Sequence, residues 1–191
     1  MLTTFSGRRA SQDEGELTAF CDYLRAAGVR KYCELGSREG DTFFHVLSAL
    51  GAQSSGVAVD LPGGLWGKST TGAQLSNAID ALNARGHSAR MILGDTRSDG
   101  TQRMVRSYGP YDAILIDGDH TYGGVKADWE AYRDLAPIIA FHDIVGEGQF
   151  ERVTRRGVEV PRLWAEIKAS GANVVEFVSP GSAMGIGVVI V

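Results

Sequence analysis

The chain has 191 residues, 43% hydrophobic and 22% charged, the composition of one ordinary globular domain with room for a substantial core. A net charge of -4 excludes a general attraction to nucleic acid or anionic membrane, so neither is expected as a partner. No apolar run approaches the ~20 residues of a membrane span, and MLTTFSGRRASQDEGEL lacks a signal-peptide core, which predicts a cytoplasmic protein.

Residues 1–14 read as a flexible polar N-terminal segment and residues 15–191 as a single domain, with Met1 to Gln12 loose. Leu17, Phe20, Cys21 and Leu24 form the stripe of a first helix that stops at Gly28. Cys21 and Cys33 make neither a disulfide framework nor a zinc pattern, and buried packing is expected of both. Lys31 to Gly36 is a first strand entering the turn GSREGDT, and Asp41 to Leu50 a helix. Ser55 to Asp60 is a second strand, followed by the loop Leu61 to Gly72 and a helix marked by Leu75, Ile79 and Leu82. Ala89 to Leu93 is a third strand ending in Gly94-Asp95-Thr96, and Thr101 to Tyr108 a shorter helix.

The stretch YDAILIDGDHTYGGVKADWEAYRDLAPIIAFHDI, Tyr111 to Ile144, organises the rest. Tyr111 to Asp117 reads as a buried parallel strand, Val125, Trp129 and Tyr132 as a helical stripe, and Pro137 to Phe141 as a further strand. Val145 to Pro161 is a polar loop carrying Arg152, Arg155 and Arg156. Leu163, Trp164 and Ile167 mark a last helix, Asn173 to Val178 a sixth strand, and Met184 to Val191 an apolar final strand paired antiparallel after a hairpin-sized gap. Alternating strands and helices predict a Rossmann-like, doubly wound α/β sheet, mostly parallel, with helices on both faces. A homodimer is left open, since an apolar final strand at a sheet edge could serve one.

In such sheets ligands lie outside the carboxyl ends of the strands. Two neighbouring strands would deliver Asp117, Asp119, His120, His142 and Asp143 to one rim. The first turn, Glu34-Leu-Gly36-Ser37-Arg-Glu-Gly40, lets backbone approach a ligand but is not G-x-G-x-x-G, because Arg38 stands where the second glycine would be. Asp60 falls 24 positions after Gly36, close to the spacing at which an acid takes ribose hydroxyls, and Asp95 could accept an adenine amino group. Each acid alone would also be read as a helix cap. A cofactor with ribose and adenine but no diphosphate fits this set.

ELGSREG, VAVD, GDT, IDGDHTY and FHDI resemble, in order and spacing, a class I S-adenosylmethionine (SAM)-dependent methyltransferase, of the small bacterial branch related to metal-dependent small-molecule O-methyltransferases. The likeness covers residues 15–191, and MGIGVVIV is similar to that family's last strand. It implies about seven strands with an antiparallel last strand. It also implies SAM against Glu34, Gly36, Ser37 and Asp117, with Asp60 on the ribose and Asp95-Thr96 near the adenine. Carried over by position, a divalent metal (Mg or Mn) would be held by Asp117, His142 and Asp143, where it could lower the pKa of a substrate hydroxyl. The imidazole of His142 departs from the family's oxygen donors and favours Mn, Fe or Zn over Mg; without a metal, Asp117 and Asp143 line the cofactor pocket and His142 is a hydrogen-bonded strand-end residue.

His120 is the candidate general base, with Asp117 beside it, and tying the DGDH turn together is its competing role. Tyr122 would pack or donate to the acceptor, and Trp66 would close over the cofactor or plug its loop. The three arginines suit an acidic substrate or a solvated surface. The expected activity is SAM-dependent methylation of an oxygen on a small molecule. The alternatives are a nicotinamide oxidoreductase, which the missing diphosphate loop argues against, and a non-catalytic cofactor-binding or interaction protein of the same fold.

Overall fold

The computed structural model describes residues 12–64, 69–145 and 157–191. The chain runs α1 (Glu14–Ala26), β1 (Lys31–Leu35), α2 (Asp41–Leu50), β2 (Ser55–Asp60), α3 (Thr71–Asn83), β3 (Ser88–Leu93), α4 (Asp99–Tyr108), β4 (Ala113–Ile116), α5 (Tyr122–Tyr132), β5 (Ile138–His142), α6 (Val160–Ala169), β6 (Asn173–Phe177) and β7 (Ile186–Ile190). The strands form one sheet in the order β3-β2-β1-β4-β5-β7-β6, parallel from β3 to β5, with β7 antiparallel to both neighbours. Sequence order reverses at β1, which sits between β2 and β4.

Side-chain alternation along the strands separates two cores. Tyr32, Ala58, Leu115 and Val188 face α1, α2 and α3, while Cys33, Val57, Ile114 and Val189 face α4, α5 and α6. Both cysteines are free and buried, as expected. Close packing on each face selects glycine at particular points. A Cβ at Gly187 of β7 would lie 2.6 Å from the Trp164 ring, so that ring of α6 reaches the sheet this closely only because the atom is missing.

The final strand corrects one expectation. β7 is interior, hydrogen-bonded to β5 and β6, and therefore offers no edge to a second copy. Its composition explains the placement: Ile186, Val188 and Val189 are buried across both faces, whereas β6, with Asn173 and Glu176 exposed, tolerates the edge. Among the described residues no helix is long and apolar enough to cross a membrane.

Gln12, read as part of a loose segment, is 8% exposed. Its neighbour Asp13 caps α1, accepting from the N–H groups of Gly15 (2.9 Å) and Glu16 (3.1 Å). Glu16, also buried, accepts from the backbone of Ser179 and Gly185, each at 2.9 Å. The start of α1 is thereby fastened to the β6–β7 connection.

Candidate functional site

At the tip of β1, Gly36 takes φ 93°, and a Cβ there would fall 2.2 Å from the Asp117 carbonyl oxygen. Only glycine lets the tips of β1 and β4 come this close. Arg38 adopts φ 46°, a left-handed conformation that the sequence pattern assigns to glycine. Its backbone N–H donates to Asp60 Oδ1 at 2.9 Å. Asp60 Oδ2 is buried and has no hydrogen-bond partner. Burial raises the Asp60 pKa, opposed by the Arg38 N–H. An acceptor is thus left open at the tip of β2, where a neutral hydroxyl donor would complete it.

Ser37 is buried and donates through Oγ to the Glu34 carbonyl at 3.2 Å. Glu34 lies beneath this turn, 1% exposed, with Tyr32 donating to its Oε2 at 2.8 Å. Burial pushes its pKa up to about 8, with the Tyr32 bond lowering it and the Asp117 charge adding to the rise. Asp95 turns back on its own loop, accepting from Arg97 N at 2.9 Å, Nε at 3.1 Å and Nη2 at 3.1 Å. The Thr96 carbonyl accepts from Tyr132 at 2.6 Å, which anchors this loop to α5.

The tips of β4 and β5 carry the second half of the site. His120 stands between two carboxylates, with Nε2 3.2 Å from Asp117 Oδ1 and Nδ1 3.1 Å from Asp143 Oδ2. His142 Nδ1 lies 3.2 Å from Asp117 Oδ1 and 3.3 Å from Asp143 Oδ1, near enough for charge attraction but without hydrogen-bond alignment. Its Nε2 has no partner. Burial disfavours the charged imidazole of His120, yet Asp117 and Asp143 overcome it and raise the pKa to about 10. His142 is raised for the same reasons. Burial alone would raise both carboxylates, and the two imidazoles instead hold them below the usual range. Asp143 has φ 60°, a strained backbone of the kind that collects at functional sites.

Four of the five rim residues expected from sequence, Asp117, His120, His142 and Asp143, therefore meet. The imidazole best placed as a metal ligand, however, is that of His120. Among the described residues, donor atoms of Asp117, His120 and Asp143 lie within 4.8 Å of one another. Two carboxylates and one imidazole at that spread fit a divalent ion such as Mn, and the partnerless nitrogens of His142 border the same carboxylates.

Asp119 serves the turn itself, with Oδ1 accepting from Thr121 N at 3.0 Å, and Thr121 caps α5. The Tyr122 hydroxyl points away from the rim and donates to Glu166 of α6 at 2.9 Å, with the Arg162 guanidinium 3.9 Å above its ring. Trp66, Arg152, Arg155 and Arg156 lie outside the described residues. Two residues escaped the sequence reading. Gln12 donates to Asp117 across 105 residues. Asp128 of α5 is 1% exposed, and burial pushes its pKa up to about 7, opposed by Thr96 and reinforced by Asp119. A signal for Asp128 existed: it stands three residues after Val125 and four before Tyr132, on the buried stripe of α5.

An open α/β sheet of this order defines a Rossmann-like fold, and its candidate site, with polar groups at the tips on both sides of β1, lies at the topological switch point. The chain belongs to the methyltransferase-domain family, whose model matches residues 33–144. No curated protein sequence matches it. Among solved structures it resembles an O-methyltransferase from Bacillus cereus in complex with SAH, at 18% identity and TM-score 0.68, covering 96% of this chain and 84% of that one. It is also similar to the O-methyltransferase TomG from Streptomyces achromogenes, involved in tomaymycin synthesis and solved with SAM, at 13% identity and TM-score 0.65, covering 95% and 81%. These likenesses establish the fold.

Proposed function

We propose that the protein is a SAM-dependent O-methyltransferase acting on a small molecule. The observation that carries this reading is the half-buried imidazole of His120 held between Asp117 and Asp143, across β1 from the open acceptor of Asp60. SAM supplies an electrophilic methyl group when bound. The chain's own part is to hold it and to prepare the nucleophile. Asp60 Oδ2 would take a ribose hydroxyl, and Gly36 and Ser37, floored by Glu34, the amino-acid end. Asp95 and Thr96 border the adenine end, although Asp95 shares its oxygens with Arg97.

His120 is the general base for an acceptor hydroxyl. Asp117 and Asp143 raise its pKa to about 10, which favours the imidazolium while no other cation faces them. Positive charge placed against Asp117 and Asp143 lowers its pKa, so the base becomes available when the site is filled. A divalent ion at Asp117, His142 and Asp143 would supply Lewis acidity toward the same hydroxyl and leave His120 as its base; an ion that takes His120 instead would replace it in that task.

The test is calorimetric titration of SAM and of NAD, each with and without Mg or Mn. Micromolar SAM binding that is lost in Asp60→Ala supports the reading, and metal-dependent heat that disappears in Asp117→Ala supports the ion. Binding of NAD in place of SAM would overturn it, and silence from both would leave an interaction protein.

A further inference from the structure

Asp117 is gripped on both oxygens, and its second grip, unlike those on Asp143, comes from outside the two strands that build the rim. Oδ1 faces His120 Nε2 and His142 Nδ1, each at 3.2 Å. Oδ2 accepts from Gln12 Nε2 at 2.9 Å. The other end of the Gln12 amide accepts from Thr42 Oγ1 in the first turn of α2. This network dictates the orientation of the amide. An ionised carboxylate only accepts, so the NH2 group must face Asp117 and the carbonyl must face Thr42, whose hydroxyl can donate.

We propose that Gln12 is a positioning residue that sets the plane of the Asp117 carboxylate for ligand binding at the rim. The inference rests on the methyltransferase reading above. Gln12 is placed by a rigid lead-in: Asp13 caps α1 and accepts from Ser179 Oγ at 2.6 Å, and Glu16 holds Ser179 and Gly185. The entropy of ordering a long side chain is largely met before any ligand arrives. The residue type also matters. A lysine or arginine at this point would pair with Asp117 and cancel its charge, whereas a neutral amide fixes the carboxylate and leaves the charge available to a cationic ligand and to His120.

Gln12→Met keeps length and volume while removing both hydrogen bonds, so packing and orientation separate. SAH binding, measured by calorimetry, is expected to weaken about tenfold in Gln12→Met, the scale of one hydrogen bond to a charged group, while the melting temperature stays within a few degrees. The deciding measurement is the same substitution in an Asp117→Asn background, where the further loss should be less than about twofold because the oriented charge is already gone. Loss of equal size in both backgrounds, or SAH affinity unchanged in Gln12→Met, would overturn the proposal. If Gln12→Met fails to fold, Gln12→Asn, which keeps the amide but not the reach, takes its place in the cycle. Failure of the wild-type chain to bind SAH would instead remove the methyltransferase reading beneath it.

Discussion

The two halves of the rim solve opposite problems. At the β2 tip, Asp60 sits almost alone, one oxygen on the Arg38 N–H and the other open. At the β4 and β5 tips, the imidazoles of His120 and His142 each lie 3.1–3.3 Å from both Asp117 and Asp143, and the four answer each other's charge. An open neutral-donor site recognises hydroxyls by a missing partner, and its selectivity comes from the cost of leaving that oxygen unpaired. A crowded charged site recognises whatever disturbs its balance: a cation, or a proton moved. On the proposed reading, Asp60 recognises a cofactor hydroxyl on one side of β1 and His120 prepares the nucleophile on the other, with Asp117, at the tip of the strand beside β1, serving both.

The largest effect should come from breaking the charged half. His120→Asn removes the proposed base but keeps a polar side chain, and methyl transfer to the acceptor should fall roughly 100-fold or more with SAH affinity little changed, as read by steady-state rates and calorimetry. The open half should respond in binding instead. Asp60→Ala is expected to weaken SAH by about ten- to a hundredfold, while Asp60→Asn, whose amide oxygen can still accept, should lose less. A strong dependence of SAH affinity on His120, or of the chemical step alone on Asp60, would dissolve the contrast between the halves.

Two further predictions concern stability beneath the rim. Asp128 has its folded pKa raised from 3.8 to about 7, so it costs nothing below its unfolded pKa and its stability contribution is lost as pH rises through the folded value. Asp128→Asn should therefore match the wild type near pH 4 and melt several degrees higher at pH 8, in paired thermal scans. Gly187→Ala should lower stability by about 1–3 kcal/mol in denaturant unfolding, because the new methyl group meets the Trp164 ring.

Much of this molecule was legible in the residues. The period-2 and period-3.6 patterns place strands such as Ser55–Asp60 and helices such as Asp41–Leu50 at their observed bounds. The acidic and histidine residues of IDGDH and FHDI are local to strand ends, so topology alone brings them together. Strand order at the far edge was not legible, because a hairpin gap fixes that β6 and β7 pair but not which of them lies outside. Gln12 was not legible either. Nothing distinguishes a buried polar residue in a polar segment until the fold carries Asp117 to it.

The tether between α1 and the last hairpin has a consequence for how the molecule is made. Val145, two residues beyond Asp143, donates to the Met184 carbonyl at 2.9 Å, and Glu16 reaches Gly185 across 169 residues. Contacts so distant along the chain are slow to form and form last. On the ribosome, a chain that had extruded every rim residue would still hold an unfinished rim. The closing step waits for residues 184–190, so the charged rim and the interior of the sheet should be finished together, in one late event.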